Sequence, residues 1–129
     1  MNDKYMWHQH ETYKSMMSYG RGMLRFAFLT NGAAIISILT FLGNLKVKTN
    51  VVPDMKWPLC MFLLGLISAG VAGMCAYFVQ FTLYNEGLGI HQSTTQPPHM
   101  KIFKWTVFAL VLSMLFFGVG AFIAVSSLH

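Results

Sequence analysis

Carboxylates are nearly missing from this sequence. Asp3, Glu11, Asp54 and Glu86 are the only four among 129 residues, and none lies in a long apolar run. Without an acid in those runs there is no carboxylate relay for protons, no carboxylate ligand for sodium and no ring that selects cations. Charge of either sign is scarce, at 10% of residues against roughly 25% in a soluble domain. Cysteine is limited to Cys60 and Cys75. Fifteen residues separate them on one predicted helix, about 22 Å, so they cannot pair with each other.

Catalytic signatures are absent too. No nucleophile motif, phosphate-cradling glycine loop or pair of catalytic carboxylates is present, and Ser37, Ser68 and Ser113 have no His, Lys or Asp partner within the apolar runs. His8, His10, His91, His99 and His129 stand without Cys or carboxylate at a ligand spacing. Neither an enzyme, a metal site nor a cofactor is expected.

What the chain has is apolar length. Hydrophobic residues make up 55% of it, and the mean hydropathy is +0.52. Three stretches, about 23–45, 58–84 and 102–128, carry no acidic residue. Each exceeds the roughly 20 residues needed to cross the hydrocarbon core as a helix. A cleavable signal would have a shorter apolar centre nearer the N-terminus. The expected fold is therefore all-α: a membrane protein with three transmembrane helices and an N-terminal amphipathic or extended helical segment.

The division is residues 1–22, a cytoplasmic amphipathic segment, and 23–128, the transmembrane domain. Within the first part Met6, Tyr13, Met17, Gly20 and Leu24 recur at helical spacing. That segment could lie along the interface or run into the first span, with Gly20 and Gly22 permitting a bend. The stretch from Asn85 to Met100 is a connector rich in turn residues, and Pro97-Pro98 stands ahead of the third helix.

Basic residues set the expected orientation. Lys4, Lys14, Arg21, Arg25, Lys101 and Lys104 flank one side, and Lys46, Lys48 and Lys56 the other. The larger group favours a cytoplasmic N-terminus and an outward C-terminus in a bacterial inner membrane. Trp57 at one interface, with Tyr84 and Trp105 at the other, fits the aromatic belts. The net charge of +5 then reflects topology and attraction to anionic headgroups, and no nucleic-acid partner is expected.

Helix faces carry the remaining information. On the first span Thr30, Ala33, Ser37, Thr40 and Asn44 form a small, hydroxylated stripe, with Phe28, Leu29, Ile35, Leu39 and Leu42 opposite, facing lipid. Gly65, Ala69, Ala72 and Ala76 form a small-residue stripe on the second span, and Ala109, Ser113, Gly120 and Ala124 on the third. Such stripes serve packing within one protomer, self-association or a pore lining.

Asn31-Gly32 would signal a turn in a soluble protein, but a break at membrane depth leaves backbone groups unsatisfied, so a continuous helix is expected. Gly32 then allows close approach and Asn31 must find a partner. Two partners are open: Gln80, placed in the same cytoplasmic half of the bilayer, or Asn31 of other copies about a symmetry axis. Arg21 and Arg25 share one face at the cytoplasmic mouth, where they either snorkel to headgroups or ring a passage and favour anions.

The runs "LTNGAAIISILTFLG" and "LCMFLLGLISAGVAGMCAYFVQF" resemble those of small bacterial membrane proteins with an Asn-Gly-small-small first helix ending in Phe-Leu-Gly. The resemblance covers the first two spans. Proteins of this general kind include pore-forming membrane effectors of antiviral defence systems. What it implies is an oligomeric effector that disturbs the membrane when triggered.

Together these readings give an expected function: a homo-oligomeric channel or pore in the lipid bilayer, passing small ions, with Arg21 and Arg25 biasing it toward anions. Thr30, Asn31, Ser37, Thr40 and Gln80 are pore or helix-contact candidates, and Arg21 and Arg25 the mouth. Gating would come from the cytoplasmic side through a protein or small-molecule regulator. The alternative is a non-conducting anchor or accessory subunit that recruits a cytoplasmic partner.

Overall fold

A computed structural model describes residues 2–49, 52–87 and 98–128. It is built from helices α1 (Asn2–Thr49), α2 (Lys56–Gly87) and α3 (Pro98–Ser126). No strand occurs among the described residues, and all three helices are long and apolar enough to cross a membrane. The N-terminal segment runs without a break into the first span, so α1 extends over 48 residues and is bent along its length. At 1.5 Å per residue this is about 72 Å of helix, more than twice the hydrocarbon thickness of about 30 Å. Asn31-Gly32 lies within that helix.

α2 and α3 form the tightest pair, and α1 leans chiefly on α2. Their seam is made by small residues, as lipid-embedded helices require for close backbone approach. Gly65, Ala69, Ala72 and Val79 of α2 are buried, as are Ala109, Ser113 and Gly120 of α3. A Cβ on Gly120 would lie 3.1 Å from both Met61 Cβ and the Phe62 ring. Phe62 in turn stacks obliquely on Phe117, with ring centroids 5.6 Å apart. The small stripes of α2 and α3 thus serve packing within the protomer.

The stripe on α1 does not. Ala33, Ser37, Thr40 and Asn44 are exposed, pointing away from the other two helices, and Thr30 is only half-buried. The face turned inward is Ala27, Asn31, Ile38, Leu42 and Leu45, with Ile35 beside it. Ile35 and Leu42, expected to face lipid, are therefore half-buried, whereas Phe28, Leu29 and Leu39 are exposed as expected. The physical reason is that α1 docks through one polar side chain, and the faces beside that residue follow it inward.

Between α1 and α2 the chain tucks back. Met55 and Pro58 are buried, Asp54 Oδ1 accepts a hydrogen bond from the Lys56 backbone N–H at 3.1 Å, and α2 starts there. The connector residues 88–97 and the side chains of His8, His10 and His99, together with His91 and His129, lie outside the described residues. Among the described residues no group of His, Cys, Asp and Glu could hold a metal ion.

Candidate functional site: a polar junction of three helices

Asn31 is fully buried, at 0% exposure. Its Nδ2 donates to the carbonyl of Ala27 on its own helix at 2.9 Å and to Ser113 Oγ on α3 at 3.2 Å. Ser113, also fully buried, passes its hydroxyl proton to the Gly65 carbonyl of α2 at 2.7 Å. One hydrogen-bonded chain thus ties α1 to α3 and α3 to α2. Every proton in it is used: two amide hydrogens and one hydroxyl hydrogen meet three oxygens. The amide orientation follows, since reversing it would set Oδ1 against the Ala27 carbonyl.

Asn31 Oδ1 has no hydrogen-bond partner, although it is buried. It lies over the Cα of Gly65: a Cβ built there would overlap Oδ1 and come within 2.7 Å of Asn31 Cγ. Gly65 is the residue that makes room. The Cα–H that stands where a side chain would be is the weak donor facing the otherwise unpaired oxygen, a contact common where helix backbones approach closely.

The junction also has a definite depth. Contacts of Asn31 with Gly65, of Met17 with Gln80 and of Gly120 with Phe62 run in opposite chain senses, so α2 is antiparallel to both neighbours. Trp57 is eight residues before Gly65, and Trp105 eight before Ser113, at opposite ends of the pair. Each therefore stands about 12 Å along its helix from the junction. Both are largely exposed, at 68% and 66%, as belt residues should be. If the two tryptophans mark the interfaces, the junction is at mid-depth, where polar groups most need partners made of protein.

This arrangement corrects two expectations for Asn31. Gln80 is not its partner: Gln80 lies 15 residues beyond Gly65, about 22 Å along α2. Exposed there, it directs Nε2 to Met17 Sδ at 3.3 Å. Nor can Asn31 meet its own copies, because it has no exposed surface. A third correction concerns Gly32, where an added Cβ would meet nothing within 4 Å. The close approach assigned to Gly32 is made at Gly65 instead. Ser113 was legible only as a small residue of a packing stripe, since its hydrogen-bonding role depends on the register of three helices.

The remaining candidates are spread over the outer surface of α1. Thr30 Oγ1 donates to the carbonyls of Phe26 and Ala27 at 2.9 and 3.2 Å, and Thr40 Oγ1 to Ile36 at 2.8 Å. Their hydroxyl protons are spent on the helix backbone, but the Thr40 oxygen and the Ser37 hydroxyl remain outward. Arg21 and Arg25 are exposed. At 100° per residue they sit roughly 80 to 120° around α1 from Ala33, so the structure does not place them on the same face as the stripe. No family model, curated protein or solved structure matches this chain.

Proposed function

We propose that this membrane protein forms a homo-oligomeric channel for small ions, in which α1 faces the passage. The observation that carries the reading is the contrast between stripes. Those of α2 and α3 are consumed by packing inside the protomer, while Ala33, Ser37, Thr40 and Asn44 of α1 look outward. A polar, small-residue face at this depth is poorly matched to acyl chains and well matched to other copies or to water. Three helices enclose no pathway on their own, so several copies would supply the lining. In this reading Asn31, Thr30 and Gln80 leave the lining: the first is a structural junction, the second saturates its own backbone and the third lies near the aqueous end. Selectivity is not assigned to Arg21 and Arg25, which sit to one side of the lining.

The reading is non-catalytic, with the N-terminus cytoplasmic in a bacterial inner membrane. Its extension to a triggered effector of antiviral defence rests on the resemblance of the first two spans alone. Flux through liposomes containing the purified oligomer tests the conducting role. Ion flux, enhanced by removal of residues 1–20, is the expected result; an absence of flux in both forms rejects the channel.

A second reading draws on the length of α1. Asn2 stands 29 residues before Asn31, about 43 Å along the helix, so the N-terminal part of α1 projects well past the Trp105 level. Exposed Trp7, Tyr13 and Tyr19 on it suit a helical arm that recruits a cytoplasmic partner. On this reading the chain is an anchor, and flux is absent while the arm still captures that partner.

A further inference from the structure

Within the bilayer α1 has three faces. Ala27, Asn31 and Ile38 turn toward α2 and α3, Ala33, Ser37 and Thr40 turn away from them, and a third face carries Arg21, Arg25, Phe28 and Gly32. The members of this third face fall within an arc of about 60° at 100° per residue, roughly a third of a turn from each of the others. Arg21, Arg25 and Phe28 are exposed, and at Gly32 an added Cβ would meet nothing within 4 Å.

Charge and depth select what covers this face. The ion pairs among the described residues are Lys14 with Glu11 and Lys56 with Asp54. Neither arginine has a counter-charge among the described residues. Arg21 stands ten residues from Asn31 and Arg25 six, about 15 and 9 Å from the junction, which the tryptophan positions put at mid-depth if they mark the interfaces. Half the hydrocarbon thickness is about 15 Å. Arg21 is therefore at the headgroup boundary, and Arg25, one turn deeper on the same face, reaches up to it along its own aliphatic stem. Two guanidinium groups carried four residues apart on one face match a phosphate diester, which accepts paired N–H donors. Below them, Phe28 and the shallow open place at Gly32 continue the same face toward the membrane centre.

We propose that this face binds one anionic phospholipid, its phosphate held between Arg21 and Arg25 and an acyl chain laid along Phe28 and Gly32. A zwitterionic lipid brings its own ammonium to the same place and offsets the attraction. An anionic headgroup leaves net negative charge against two cations, and exposed Lys101 and Lys104 at the same end of α3 add to the field. The site does not depend on whether the assembled protein conducts.

Native mass spectrometry of the full chain in mild detergent, with phosphatidylglycerol or phosphatidylcholine of identical acyl chains, tests the proposal. Phosphatidylglycerol should be retained over phosphatidylcholine. Arg21→Gln with Arg25→Gln should weaken its retention about tenfold or more, the scale of one lost charge-assisted hydrogen bond. Lys46→Gln with Lys48→Gln, at the other end of α1, should leave it unchanged, and inorganic phosphate should not displace the lipid. Equal retention of the two lipids, wild-type retention by the arginine variant, or displacement by inorganic phosphate would each overturn the site. If the glutamine pair does not elute as folded protein, Arg21→Lys with Arg25→Lys decides: charge without the fork should weaken retention, and unchanged retention rejects the clamp.

Discussion

The side chain of Asn31 fills the volume that any side chain on Gly65 would need, its Oδ1 lying over the glycine Cα and its Nδ2 only 3.0 Å from the position of an added Cβ. The two residues are complementary in shape and in polarity: the glycine leaves the space, and the amide uses it to reach α3. Ala27 and Asn31 are the buried residues of α1 among those described, so the Asn31–Gly65 pair marks the centre of its docking.

Gly65→Ala is expected to destabilise the protein by about 1–3 kcal/mol, the range for overpacking a tight contact. Gly70→Ala on the same helix meets nothing within 4 Å and should cost nothing, or stabilise by up to about 1 kcal/mol through helix propensity. Denaturant or SDS unfolding in mild detergent separates the two. Equal stabilities would mean that Asn31 is not held against Gly65.

Ser113→Ala removes the acceptor for Asn31 and the donor to Gly65 at once. A loss of about 0.6–1.7 kcal/mol is expected, from the average to the largest value found for hydrogen bonds between membrane helices. A double-mutant cycle with Asn31→Ala should give a coupling of at least about 0.5 kcal/mol, as for residues in one network. Additive effects would contradict the bond. Gln80→Ala, exposed and bonded only to a thioether, should change stability by less than about 0.5 kcal/mol.

At the α2–α3 seam, Gly120→Val should loosen the pair, because even a Cβ would press on Met61 and Phe62. Gly118→Val meets open space at Cβ and should be tolerated. Relative unfolding midpoints check the contrast, with an expected gap of about 1–3 kcal/mol.

Accessibility separates the two polar faces of α1. In a chain with Cys60 and Cys75 replaced by Ala, Ser37→Cys should react with a membrane-impermeant thiol reagent in liposomes if the stripe meets water, and reaction should reduce flux. Asn31→Cys should stay unreactive. Protection of both would place lipid or protein over the stripe and remove the basis for a lining.

Much of this molecule is written in its sequence. Apolar length and scarce charge specify three membrane-spanning helices, because a backbone in hydrocarbon has few alternatives to helix, but not how far α1 continues toward Asn2. The small-residue faces of α2 and α3 are legible as rows of Gly, Ala and Ser at helical spacing, but which of their three uses applies is not, since the similar row on α1 stays exposed. Asn31 stood out as a polar group needing a partner.

Its partner and the face of α1 that docks were decided only by tertiary structure. Span composition puts Gln80 in the same half of the bilayer as Asn31 but does not encode axial register, and the two are about 22 Å apart along the helices. The choice between faces of α1 turned on a relation among three helices: Gly65 leaves a gap, Ser113 points a hydroxyl into it, and Asn31 alone on α1 can use both. Hydropathy ranks faces one helix at a time. A buried amide answers instead to the geometry of its partners, because the cost of leaving it unpaired outweighs the small difference between one apolar face and another.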